Sequence, residues 1–133
     1  MLLRFVAGQA VSATTIAYLS WLAQQLGEQG VRRVVVIWDN ASWHRSKAVR
    51  TWLAEHNRAA LALRREGKVG VQLTPCWLPS KSPWLNPIEV RWAHGKRAVS
   101  EPSRKLTITE MKTRVCAYYN CEELEALAAN DVP

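Results

Sequence analysis

"VRRVVVIWD", Val31 to Asp39, is the stretch whose reading decides the fold. It is a run of β-branched and apolar residues with no glycine or proline inside it. Such a run reads as a strand, and its unbroken apolar character suits one buried on both faces, as in a parallel sheet. Working outward, "SATTIAYLSWLAQQLGEQG" (12–30) predicts a helix, with Ile16, Leu19, Leu22 and Leu26 at helical spacing. Ser12 is its expected N-cap, and Gly27 and Gly30 close it. Ahead of it, "LLRFVAG" (2–8) reads as a short strand ending at Gly8.

Downstream, "SKAVRTWLAEHNRAALALRREG" (46–67) predicts a second helix, capped by Ser46, with Val49, Trp52 and Leu53 on its apolar side. "KVGVQLTPCWLP" (68–79) reads as another strand, broken near its end by Pro75 and Pro79. A helix from about Pro87 to Val99, a turn at "EPSRK" (101–105) and a helix at "TITEMKTRVCAYY" (107–119) follow. Thr107 and Glu110 have capping-box spacing. The tail "EELEALAAN" (122–130) is expected to add a last helical turn or two. Alternating strands and helices favour an α/β fold with parallel pairing. Asp39 then closes one strand at its C-terminal end, and Glu89 lies just past the C-terminal end of the next. Sites in open α/β sheets collect at that edge.

The 133 residues suffice for one modest domain. A net charge of +7 favours an anionic partner, nucleic acid first, with a solvated basic surface as the plain alternative. Three cysteines without a paired CxxC argue against a disulfide framework or zinc site and fit a reducing cytoplasm. No apolar run is long enough to span a bilayer, and the N-terminus lacks the pattern of a signal peptide.

Asp39 and Asn40 could serve an Asx-turn leaving the strand. His44 fits no common zinc spacing. Asn86, Pro87 and Glu89 could start a helix, with Glu89 close to the capping-box position. The functional reading is that two carboxylates at one sheet edge, in a basic chain, suit Mg²⁺, which takes oxygen ligands and is commonly held by one or two carboxylates plus phosphate oxygens.

"VVVIWDNASWH" (34–44) and "LPSKSPWLNPIEVRWAHGKRAV" (78–99) resemble DDE transposases of the mariner-related insertion sequence 630 family, over about residues 5–119. The resemblance implies a ribonuclease-H-like fold and Mg²⁺- or Mn²⁺-dependent cutting and joining of transposon DNA ends, with two ions in a complete site. It makes Asp39 and Glu89 the catalytic metal ligands, with Asn40, His44 and Asn86 shaping the site. Arg91, Lys96, Arg97, Arg104 and Lys105 follow as candidate phosphate contacts; a solvated basic face is their plain reading. The chain departs from the family in a long Asp39-to-Glu89 interval, assigned to a longer helix within 56–70, and in Trp84, where many relatives carry a polar residue.

The family's site takes three acids, the first on an early strand, yet no acidic residue precedes Glu28. Glu28 lies eleven residues before Asp39, roughly 30 Å of mostly extended chain, too far to share a metal. The expectation is one partial catalytic domain over 1–133, lacking the first strands and the N-terminal DNA-recognition domain, and inactive alone. Its expected partners are transposon-end and target DNA, full-length transposase or an upstream half, and, through exposed sheet edges, further copies of itself. A non-catalytic regulatory fragment and a gene remnant are the alternatives.

Overall fold

The computed structural model describes residues 1–101 and 104–130. The run at Val31–Asp39 forms strand β1 (Arg33–Trp38), preceded by helix α1 (Ser12–Glu28) and followed by helix α2 (Lys47–Arg65) and strand β2 (Gln72–Trp77). A 3₁₀ turn (Pro83–Leu85) leads into α3 (Ile88–Ser100), and α4 (Ile108–Tyr119) follows. The architecture is mixed α/β: β1 and β2 pair in parallel, from Arg33 opposite Gln72 to Trp38 opposite Trp77.

That register sorts the strands into two faces. Val34, Val36, Trp38, Leu73 and Trp77 turn toward a core built with Ile16, Leu19 and Ala23 of α1 and Val49 and Leu53 of α2. Val35 and Ile37, opposite Thr74 and Cys76, lie on the other face and are 64% and 46% exposed. The expected burial of β1 on both faces is therefore corrected. Its apolar run is continuous, but both helices packed on the sheet contribute to the same core.

The two edges of the sheet differ. The N–H of Gln72 donates to the Arg32 carbonyl and that of Leu78 to the Trp38 carbonyl, so the even-numbered residues of β2 face β1. The backbone polar groups of Leu73 point to the outer edge, where Asn57 of α2 replaces a neighbouring strand. The Leu73 N–H donates to Asn57 Oδ1 and Asn57 Nδ2 donates to the Leu73 carbonyl, both at 2.8 Å. Pro75 sits inside β2 rather than breaking it, since its missing N–H falls on this outer edge and removes no bond to β1. Gly70 lets α2 come close, for a Cβ there would lie 2.2 Å from the Ala60 carbonyl oxygen. Among the described residues β1 has no strand on its other side.

Several local expectations hold. Ser46 Oγ accepts from the Val49 N–H, and Thr107 with Glu110 forms the reciprocal capping box. α2 continues to Arg65, so the long interval is occupied by helix as expected. Others change. α1 is capped at Val11 instead of Ser12, with the Thr14 hydroxyl accepting from the Val11 N–H, and Gly27 is buried inside the helix. Residues 2–8 form no strand but a single parallel bridge, Val6 to Leu127. The tail around Leu127 is thereby drawn into extended chain, and no helix forms over 122–130. The "EPSRK" turn falls partly outside the described residues. α3 and α4 pack together through Tyr119, whose hydroxyl donates to the Arg91 carbonyl at 2.9 Å and fills the space over Gly95. No helix among the described residues is long and apolar enough to cross a membrane.

Candidate active site

Asp39 immediately follows the last residue of β1, at the C-terminal end of the parallel pair. Its Oδ1 accepts from the Ala41 N–H at 3.0 Å, which is the Asx-turn expected from the sequence, and lies 2.9 Å from His44 Nδ1. Both contacts use the same oxygen. The Asp39 side chain is 62% exposed, and Oδ2 has no protein partner among the described residues.

His44 is held in turn. Its ring stacks on Trp38 at 5.0 Å between centroids, and Trp38 stacks on Trp77 at 4.9 Å. The ends of both strands thus fix the imidazole that fixes the carboxylate. Asn40 turns the other way: Nδ2 donates to the Leu78 carbonyl and Oδ1 accepts from Arg45 at 3.4 Å. It ties the exit of β1 to the exit of β2.

Glu89 stands in the first turn of α3, after the 3₁₀ turn that leaves β2. The capping-box expectation is corrected here. Pro87, already helical in backbone (φ −63°, ψ −15°), takes the cap position, so Glu89 falls at the second helical position, one short of the place a capping box needs. The Asn86 carbonyl accepts from the Glu89 N–H at 3.0 Å, and its side chain keeps one long contact, Oδ1 accepting from the Ile88 N–H at 3.4 Å. The Glu89 carboxylate is exposed and makes no hydrogen bond or ion pair among the described residues.

The start of α3 and the end of β1 share a wall. Ile88, the residue before Glu89, lines the same groove as Trp38, Trp43 and His44. A smaller cleft of about 110 Å³ opens beside Asp39 and Asn40 and is lined on its far side by Lys81 and Ser82. Sequence reasoning did not single out Lys81. The available signal was its place in "SKSP", where the chain turns sharply; Lys81 takes a left-handed φ of 59°.

The donor set was tested against a divalent cation. Asp39 Oδ2 and the Glu89 carboxylate are exposed oxygens without protein partners, the hard ligands that Mg²⁺ and Mn²⁺ favour, and one or two carboxylates are its usual protein share. Among the described residues no group of three or more His, Cys, Asp or Glu side chains gathers to hold a metal. The donors fit an ion in kind and fall short of a complete three-acid set in number.

The candidate phosphate contacts separate into two groups. Arg91, Lys96 and Arg97 lie on α3, behind Glu89. Arg104 instead grips Glu110 with both guanidinium nitrogens, at 2.7 and 3.4 Å. That contact and the Thr107 hydrogen bonds hold the Glu110 carboxyl down at about 2. Arg104 thus serves the start of α4, and Lys105 beside it is exposed.

No curated protein and no solved structure is matched by the chain. The sequence model of the DDE superfamily endonucleases matches residues 3–112, spanning both strands, the Asp39 turn and the whole of α3. With that match over most of its length, the chain belongs to the DDE superfamily endonucleases.

Proposed function

We propose that the chain is the catalytic part of a DDE transposase of the insertion sequence 630 type, built on a ribonuclease-H-like sheet. In this reading residues 1–133 form one catalytic unit that acts on DNA through bound Mg²⁺ or Mn²⁺. What supports it is Asp39 at the C-terminal end of a parallel strand pair, with one carboxylate oxygen left without a protein partner among the described residues, and the unpartnered Glu89 carboxylate on the helix that follows, both within the matched family region.

A divalent ion bound there would polarise a phosphoryl oxygen and lower the pKa of water. The protein's own residues supply the orientation. His44, pinned against Trp38, commits one oxygen of Asp39 and leaves the other facing outward. With Pro87 at the cap, Glu89 falls one place short of the capping-box position, so its carboxylate stays available. Arg91, Lys96 and Arg97 bring positive charge to the helix carrying Glu89 and suit phosphate contacts that weaken with salt. The third acid is not among these residues, so the chain by itself is expected to bind metal and DNA without cutting.

Calorimetric titration with Mn²⁺ tests the reading. Asp39→Asn and Glu89→Gln should each lower Mn²⁺ affinity, by roughly tenfold or more if each supplies a direct ligand. Unchanged Mn²⁺ binding in both variants would refute the assignment. Metal-dependent nicking of supercoiled DNA by the purified chain, lost in Glu89→Gln, would show that the two acids suffice.

A further inference from the structure

At the opposite end of the strands lies a second, purely cationic site. A cleft of about 440 Å³ opens where the chain enters β1 and leaves α2. Arg32, just ahead of β1, and Arg33, its first residue, line one side, and Arg64, Arg65 and Lys68 line the other from the end of α2 and the turn beyond. No carboxylate lines it; Glu66, in the same turn, is paired with Lys68 at 2.7 Å. Arg64 is aimed by a 2.9 Å hydrogen bond to Gln72 Oε1, across the start of β2. The Arg32 and Arg65 guanidinium groups are exposed and have no side-chain partner among the described residues.

Cations at a helix C-terminus complement its dipole, which accounts for Arg64 and Arg65. It does not account for Arg32 and Arg33, which belong to another element and raise the charge density against self-repulsion. An anion between them relieves that repulsion. We propose that this cleft is a second phosphate-binding site, taking the backbone of duplex DNA away from the carboxylates.

Its openness favours a polymer over a small phosphate. The exposed guanidinium groups flank an open cleft, and phosphate recognition by Arg demands little beyond charge and a fork of donors. Arg33 lies six residues from Asp39 along β1, roughly 20 Å at strand rise. A duplex lying along β1 covers that distance in about six base pairs. One stretch of DNA could thus engage both ends of the strand. The choice of DNA as ligand rests on the proposed function, whereas the cleft and its charge do not.

The experiment is a salt series with a short labelled duplex, read by fluorescence anisotropy in EDTA so that no metal contributes. The Arg32→Ala, Arg65→Ala double variant, checked for fold by circular dichroism, is compared with the unmodified chain. Each lost phosphate contact removes about 0.9 from the slope of log affinity against log salt, so the slope should flatten by about 1.8. An unchanged slope and affinity would overturn the site, and would leave the carboxylate reading to stand or fall on Mn²⁺ binding. Inorganic triphosphate is the control. Saturable triphosphate binding lost in the double variant, with duplex affinity unchanged, would also overturn the proposal, because the cleft would then serve a small anion.

Discussion

Asn57 replaces a whole neighbouring strand with one side chain, and its removal is the sharpest test of how the sheet is held. Its amide satisfies both polar groups of Leu73, at 2.8 Å each, beside a side chain that is fully buried. Asn57→Ala strips both partners at once. An orphaned buried N–H or C=O costs about 1–3 kcal/mol, so the expected loss is about 2–4 kcal/mol with some relief from water. Asn57→Asp separates the two bonds. The carboxylate still accepts from the Leu73 N–H but faces the Leu73 carbonyl without a proton to donate. Its loss should therefore be substantial at neutral pH and shrink as the pH falls toward the ordinary carboxylate range, because the facing carbonyl raises the folded acid's pKa and the protonated acid becomes a donor. Urea unfolding followed by far-ultraviolet circular dichroism gives both free energies. If Asn57→Ala loses less than about 0.5 kcal/mol, the range of an ordinary surface change, the edge is not held in this way.

Gly70→Ala should destabilise by about 1–3 kcal/mol, because its Cβ would meet the Ala60 backbone at 2.2 Å and force α2 away from β2; scanning calorimetry reads the shift. Glu110 has a carboxyl lowered from 4.5 to about 2, so its stabilising contribution is complete above the unfolded value and is lost as pH falls through the folded one. An NMR titration should show that low midpoint, and Arg104→Ala should move it upward, since the Arg104 hydrogen bond is the largest cause. Trp84 is 73% exposed, so Trp84→Ser should change stability by no more than about 0.5 kcal/mol in a denaturant melt.

The elements written in local sequence were legible. The β-branched run at 34–37 announced a strand, and Ser46 and the Thr107–Glu110 box announced helix starts, because each depends on residues within one turn. What depends on a distant neighbour was not legible. Val35 and Ile37 look like core residues in sequence, and only the placement of α1 and α2 leaves them exposed. Residues 2–8 have strand-like character but pair with the tail through one bridge, Val6 to Leu127, beside the Arg4 bonds to the Glu125 carbonyl, and these contacts hold the tail out of helix. At Glu89 the residue types suggested a capping box built on Asn86, yet the helix starts one residue later, with Pro87 at the cap, and leaves Glu89 outside the box position. Asp39 could be placed at a strand end because the β-branched run before it is a local signal. The basic cleft could not be picked out, since Arg32 and Arg65 are 33 positions apart and only the packing of α2 beside β1 and β2 joins them.

The unlike edges of the sheet set a limit on how it can grow. Among the described residues β1 has no strand on its outer side and offers backbone to a passing strand, while β2 is stopped by the Asn57 amide and by Pro75. Edge-to-edge addition that propagates needs two receptive sides, one to join and one to be joined. Here a newcomer that pairs through its own β1 presents β2 outward, and the next strand finds no ladder to extend. Association through this sheet therefore terminates after one step, as a closed pair or a single captured strand. The small polar substitute on β2 acts as a brake on fibre formation in a protein whose other edge is open.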